Sequence, residues 1–352
     1  MRRLSVGAIL AVSIREAAAH DSQITIRVRQ YHCIRQSPYT AAMSVFTPLS
    51  DATLQTVLEP LSLTLDSARA ATHGIENSNY LLRCHDQDGQ PRGLVLTLFE
   101  QRPLAQLPWF AALLHALQDA DLPVPAPIEV AGQTILSVAG KAAFLVPWLP
   151  GEHVFTPTAT HCRAVGALLA RLHACPLPDG DAPHNERTHL QALARQHLDA
   201  LPDTERDAAR LTLEHWLALR GRNCLCHADL FRDNVLFNGG DVSGLLDLYN
   251  ACAELPVYDL AVVANDWCVE EDGQLNALRL TALLAGYGLR EAPADLPLAL
   301  AAAGLRFYLS RLHAQQQAAQ HAGAEGQVSK DPEVFRQIFM ARFNAWQQSA
   351  AT

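Results

Sequence analysis

A chain of 352 residues with 49% hydrophobic and 18% charged residues is long enough to bury one large core or two moderate ones. Its formal net charge of −9 argues against a protein built to neutralise nucleic-acid phosphates and points to a small-molecule partner. The eight cysteines (Cys33, Cys84, Cys162, Cys175, Cys224, Cys226, Cys252 and Cys268) lack the regular spacing of a disulfide-stapled secreted domain and read as reduced thiols. No apolar run reaches the roughly 18 residues that a membrane span needs.

Residues 1–42 stand apart, with six arginines against Glu16 and Asp21, a local charge of +4 that leaves −13 for the rest. Met1 to Arg3, the apolar run Leu4 to Ile14 and the alanines Ala17 to Ala19 have the layout of a secretory signal. The competing reading is a basic N-terminal extension, disordered or a mis-called start, with Met43 as the natural first residue. In its favour, SVFTPLS opens the first capped helical pattern, with Ser50 or Asp51 as N-cap.

Residues 43–146 predict a small N-terminal lobe. After the first helix, apolar segments flank the turn-rich DQDGQPRG and predict an antiparallel hairpin. Trp109, Phe110, Leu113, Leu114 and Leu117 then form a helical stripe, which the prolines of LPVPAP end. Strand-like runs follow near Thr134 to Val138 and Ala143 to Pro147. PWLPG, Pro147 to Gly151, reads as a stiff connector, and residues 147–352 predict a larger, mainly helical lobe, as in the spacing of Val165, Leu168, Leu169 and Leu172. The expected class is α+β and bilobal.

The chemistry is concentrated in residues 224–267. HADLFRDN has the H-x-D-x-x-x-x-N spacing of a kinase catalytic loop, with Asp229 five residues before Asn234 and a further acid, Asp247, thirteen residues after it. The runs VLF and VSGLL around the turn NGGD predict a hairpin whose ends bring Asn234 near Asp247. One amide oxygen and one carboxylate suit Mg²⁺, a hard cation that fills its shell with water and substrate phosphates. Phosphoryl transfer also needs a group to orient the acceptor hydroxyl and take its proton, a role that fits Asp229. His227 is expected to hold the loop by hydrogen bonding. Cys224, Cys226 and His227 do not match structural zinc spacing, because no distant ligand pair accompanies them.

These residues resemble the aminoglycoside-phosphotransferase-like branch of the protein-kinase-like fold, whose members carry HGD or HAD loops and a downstream DLA, here in YDLA, Tyr258 to Ala261. SVFTPLS, GIENSNYLL, VLTLFE, HADLFRDNVLF, LYNAC and NDWC together look like the homoserine kinases of that branch, over roughly residues 43–345. The resemblance implies ATP and Mg²⁺ as cofactors, a cytoplasmic location and transfer of phosphate to L-homoserine on the route to threonine. A need for ATP argues against export and for the extension reading of residues 1–42. It also implies a nucleotide-covering loop at Gly74, Asn77, Ser78 and Asn79, and an interlobe segment from Val146 to Leu149 that reads adenine, with Trp148 over the ring.

One departure concerns the phosphate-contacting lysine of the third strand, where this chain has Thr97. No lysine occurs between Met43 and Lys141, so Arg83 or Arg102, or backbone dipoles, must replace it. Thr97 also keeps open a non-catalytic nucleotide-binding pseudokinase. For the acceptor, an amino-acid carboxylate suits Arg232, Arg306 or Arg311, and its ammonium suits Asp266 or Glu254. Choline, methylthioribose, hydroxylysine or an aminoglycoside are the alternative acceptors.

Overall fold

Ser50 has extended backbone angles (φ −82°, ψ 156°) and its Oγ accepts the Thr53 N–H at 3.2 Å, so the first helix, α1 (Asp51–Leu58), starts on a side-chain cap. The computed structural model describes residues 47–71, 77–320 and 331–350. The expectations for residues 1–42 and for Gly74 lie outside the described residues.

Strands β1 (Thr64–Ala70), β2 (Asn77–His85), β3 (Pro91–Phe99), β4 (Leu136–Val138) and β5 (Lys141–Pro147) form an antiparallel sheet in the order β1-β2-β3-β5-β4. The β2–β3 turn falls where DQDGQPRG predicts it: Asp86 Oδ1 accepts the N–H groups of Asp88 and Gln90, and Gly89 takes φ +75°. Because side chains alternate across a strand, the sheet has two faces. Tyr80, Leu82, Leu94, Leu96, Leu98, Ala143 and Leu145 pack with Leu54 and Leu58 of α1. Phe99, Phe144 and Val146 face the other way, into the main core shared with α2 (Leu107–Asp119). The Trp109 to Leu117 stripe is buried there, as its spacing predicts.

Residues 147–151 lead from β5 to β6 (Glu152–His153). Gly151 sits at φ +129°, and a Cβ there would run into Ser243 Oγ and the Phe237 carbonyl, so only glycine fits this approach to the strands beyond. The remainder is mainly helical: α3 (Ala159–Ala174), α4 (Glu186–His197), α5 (Asp203–Ala218), α6 (Pro256–Trp267), α7 (Ala277–Tyr287), α8 (Leu296–Gln320) and α9 (Pro332–Ala350). Short strands β7 (Cys224–Cys226), β8 (Val235–Asn238), β9 (Asp241–Leu245) and β10 (Cys252–Glu254) are set among them. α3 and α7 cross backbone to backbone, since Cβ atoms at Gly166 and Gly286 would meet the Leu283 and Arg163 carbonyls. Helix α6 is buried at nearly every position, so it lacks the polar stripe of a surface helix and forms the centre of this part. Among the described residues no helix is long and apolar enough to cross a membrane.

Candidate active site

β7 pairs antiparallel with β10, Cys226 opposite Cys252, and delivers the chain into residues 227–231. There Ala228 adopts φ +64°, a left-handed conformation that costs a residue with a Cβ on the order of 1 kcal/mol. Asp259, fully buried in the first turn of α6, offsets that cost. Its carboxylate accepts the His227 N–H at 2.6 Å and the Ala228 N–H at 2.7 Å. His173 of α3 stands on the same carboxylate, Nε2 to Oδ2 at 3.2 Å. Burial pulls the His173 imidazole down, but Asp259 and Cys224 outweigh it and hold its pKa up at about 11.

The His227 ring is buried, which lowers its pKa and keeps it neutral. Its Nδ1 accepts the Asp229 N–H at 3.3 Å, so Nε2 carries the proton and donates to the Leu246 carbonyl at 2.8 Å. The Asp229 carbonyl receives Asn234 Nδ2 at 2.8 Å, and its Oδ2 receives Asn250 Nδ2 at 3.2 Å. A 3-10 turn, Arg232–Asn234, leads into β8, which pairs with β9 from Val235↔Leu245 to Asn238↔Asp241. The Leu246 N–H donates to the Asn234 carbonyl at 2.9 Å, extending that ladder by one step. Asp247 follows at once, exposed and left-handed at φ +57°. The hairpin expected from NGGD thus sets Asn234 beside the chain that carries Asp247.

Hard oxygen donors therefore line this loop pair. Asn234 spends its amide nitrogen on the Asp229 carbonyl, which leaves Oδ1 as the end not used in that bond. An amide oxygen and the exposed Asp247 carboxylate are donors of the kind that Mg²⁺ takes.

On the sheet side, Thr97 Oγ1 donates to Asn79 Oδ1 at 2.7 Å, and Ser78 Oγ donates to Glu100 Oε1 at 2.6 Å. Asn77 begins β2 opposite Phe99, and Val146 is buried on β5 opposite Val95. The Trp148 N–H donates to the Gly93 carbonyl at 3.0 Å, and its ring lies 5.8 Å from the Arg83 guanidinium. Arg102 goes elsewhere. Its guanidinium lies 5.0 Å from the Phe110 ring and 5.8 Å from the Tyr249 ring, two residues past Asp247. Burial and the nearby Asp247 push the Tyr249 phenol up, so it stays neutral.

With this geometry in place, the profile of the phosphotransferase enzyme family matches residues 67–296. The chain belongs to that family. A homoserine kinase of Pseudomonas aeruginosa is 39% identical over 289 residues, 78% of this chain and 90% of its own length. A homoserine kinase of Methylobacterium radiotolerans is 37% identical over 293 residues, 77% of this chain and 88% of its own. Among solved structures, a spectinomycin phosphotransferase bound to ADP and spectinomycin superposes with a TM-score of 0.61 at 13% identity, covering 87% of this chain and all of that one. An amicoumacin kinase in complex with AMP-PNP, Ca²⁺ and Ami gives 0.56 at 15%, covering 82% and 89%. The protein is a small-molecule kinase of α+β, protein-kinase-like fold.

The kinase links His227, Asp229 and Asn234 by hydrogen bonds, and Asp247 follows Leu246, whose N–H bonds the Asn234 carbonyl. Two acceptor candidates of opposite charge prove to be each other's partner. Asp266 accepts the Arg232 backbone N–H at 2.8 Å, Nε at 3.1 Å and an NH2 hydrogen at 3.0 Å, while Arg232 NH1 donates to the Phe155 carbonyl at 2.7 Å. Asp266 therefore already has a guanidinium partner within the chain. Glu254 is likewise committed to Arg187, at 2.9 Å. Arg306 is buried at 7% exposure and pairs with Glu186 at 2.9 Å, because a guanidinium taken out of water demands a counter-charge. Arg311 lies 4.1 Å from the Phe335 ring and donates to the Asp331 carbonyl at 3.3 Å, tying α8 to α9. Both arginines flank aromatic rings that pack on Phe231 of the catalytic loop: Phe307 at 4.5 Å and Phe335 at 5.9 Å.

The residue that sequence reasoning missed is Asp259. YDLA carries it as a motif, but only its hydrogen bonds, more than thirty residues back along the chain, reveal what it does. Asn250 is missed for the same reason.

Proposed function

We propose that this kinase transfers the γ-phosphoryl group of Mg-ATP to the side-chain hydroxyl of L-homoserine, giving O-phospho-L-homoserine. The observation that carries the reading is identity of 35–39% to proteins named homoserine kinase, spanning 77–78% of this chain and 86–90% of theirs.

The roles follow from the donor set. Asp229 orients the acceptor hydroxyl and takes its proton as the new O–P bond forms and the bond from the γ-phosphorus to the bridging oxygen of ADP breaks, with Asn250 holding one carboxylate oxygen in place. Asn234 Oδ1 and the Asp247 carboxylate hold Mg²⁺, which supplies positive charge across the phosphates when bound. His227 positions the loop as a neutral ring bonded to both the Asp229 N–H and the Leu246 carbonyl. Asn77, Ser78 and Asn79, with Gly74 before them, cover the nucleotide, and Val146 and Trp148 lie on the adenine side. Arg102 stands in for the third-strand lysine, since it reaches Tyr249 beside Asp247, whereas Arg83 rests at the Trp148 ring. Arg232 reads the acceptor carboxylate with its guanidinium plane fixed by Asp266. The reaction then belongs to threonine biosynthesis, in the cytoplasm.

The test is coupled ADP release from Mg-ATP with homoserine, serine, choline, methylthioribose and kanamycin offered in parallel. Turnover confined to homoserine supports the assignment. Turnover with another acceptor and none with homoserine overturns the substrate while leaving the phosphotransferase intact.

A further inference from the structure

Outside the catalytic loop, one cluster of ligating side chains stands out among the described residues. Cys224 and Cys226 lie two apart on β7, so their side chains leave the strand on the same side, with Sγ atoms 3.6 Å apart. The last turn of α3 brings His173 to them, and the three ligating atoms all lie within 4.8 Å of one another. His227, next to these thiols in the chain, is bonded instead to the Leu246 carbonyl. The true neighbour comes from a different helix.

We infer that Cys224, Cys226 and His173 form a binding site for a thiophilic divalent cation of the Zn²⁺ class, separate from the Mg²⁺ donors Asn234 and Asp247. Three observations carry this. Two thiolate sulfurs about 2.3 Å from a tetrahedral ion stand roughly 3.8 Å apart, and the observed separation is already 3.6 Å. Both ring nitrogens are engaged, Nδ1 with Tyr287 at 2.8 Å and Nε2 with Asp259 at 3.2 Å, so ligation exchanges one of these contacts for the metal while the other holds the ring. Cys226 is fully buried whereas Cys224 is partly exposed, so the cluster lies at the edge of the core.

Ligation forms two metal–sulfur bonds and one metal–nitrogen bond. Any protons still on the two thiols and on the coordinating nitrogen leave to solvent, and no electrons change hands. The site lies one residue before the catalytic loop, and His173 touches the carboxylate that shapes that loop, yet the inference needs no particular phosphoryl acceptor.

The test uses the full chain, reduced and stripped with EDTA, titrated with Co²⁺ as a spectroscopic substitute for Zn²⁺. The expected result is saturation of an intense thiolate-to-cobalt charge-transfer band and tetrahedral visible bands at one equivalent, bleached by Zn²⁺. Cys224→Ser and His173→Gln should each weaken binding roughly tenfold or more with unchanged circular dichroism. Absence of a thiolate band in the native chain overturns the site, whatever the variants do, and so does a band of native affinity in folded Cys224→Ser.

Discussion

Asp259 of α6 accepts the backbone N–H groups of both His227 and Ala228, at 2.6 and 2.7 Å, so one buried carboxylate holds the left-handed kink that aims the catalytic loop. Asp259→Asn presents an amide N–H₂ to at least one of these donors. Thermal melts should show a loss of a few kcal/mol, about what an uncompensated buried polar group costs. In whatever protein folds, kcat should fall far more than KM for ATP changes. A variant with native kcat would show that the kink sustains itself.

Asp229→Asn should lower kcat by roughly 10²–10⁴, the range expected when a positioned proton acceptor is removed. ATP affinity, read by calorimetry or nucleotide fluorescence, should stay within a few-fold of native if the side chain serves the acceptor.

Asp247→Ala should show the opposite split. Loss of the exposed carboxylate should weaken Mg-ATP binding steeply, while metal-free nucleotide binding changes little. Titrating Mg²⁺ at fixed ATP separates the two.

Arg102→Ala and Arg83→Ala distinguish the two lysine substitutes. Arg102 meets the Tyr249 ring beside Asp247, so its removal should cost roughly tenfold or more in kcat/KM for ATP. Arg83→Ala should stay within about twofold. Equal effects would reject Arg102 as the replacement.

The Arg306–Glu186 pair makes a prediction about acid stability. Burial raises the Glu186 carboxyl, but Arg306 and His184 outweigh it and leave the folded-state value at about 2, against 4.5 ordinarily. A depressed carboxyl stabilises the fold above the unfolded value. That contribution, on the order of 3 kcal/mol, is lost as pH falls from about 4.5 towards 2. His189, lowered to about 4 by burial and by Arg306, acts in the same direction between about 6.5 and 4. Urea melts should therefore show stability falling from mildly acidic pH downward. Arg306→Met strands the Glu186 charge and should cost about 3–5 kcal/mol at neutral pH.

Much of the fold is legible because its signals are local. The Ser50 cap, the Trp109 to Leu117 stripe, the Asp86–Gln90 turn and the β8–β9 hairpin each depend on side-chain period or turn chemistry within a few residues. The HADLFRDN spacing is legible for the same reason, since Asn234 bonds back to the Asp229 carbonyl five residues away.

What the sequence by itself determined, then, is the α+β class and the position of the HADLFRDN loop between β7 and the β8–β9 hairpin. Which side chains meet across the core was decided only by tertiary structure. Asp259 under Ala228, Asp266 on Arg232, Arg306 on Glu186, Arg102 at Tyr249 and His173 beside Cys224 and Cys226 all join distant segments. A buried charge takes whatever opposite charge the packing brings within about 3 Å, and no spacing along the chain encodes that choice.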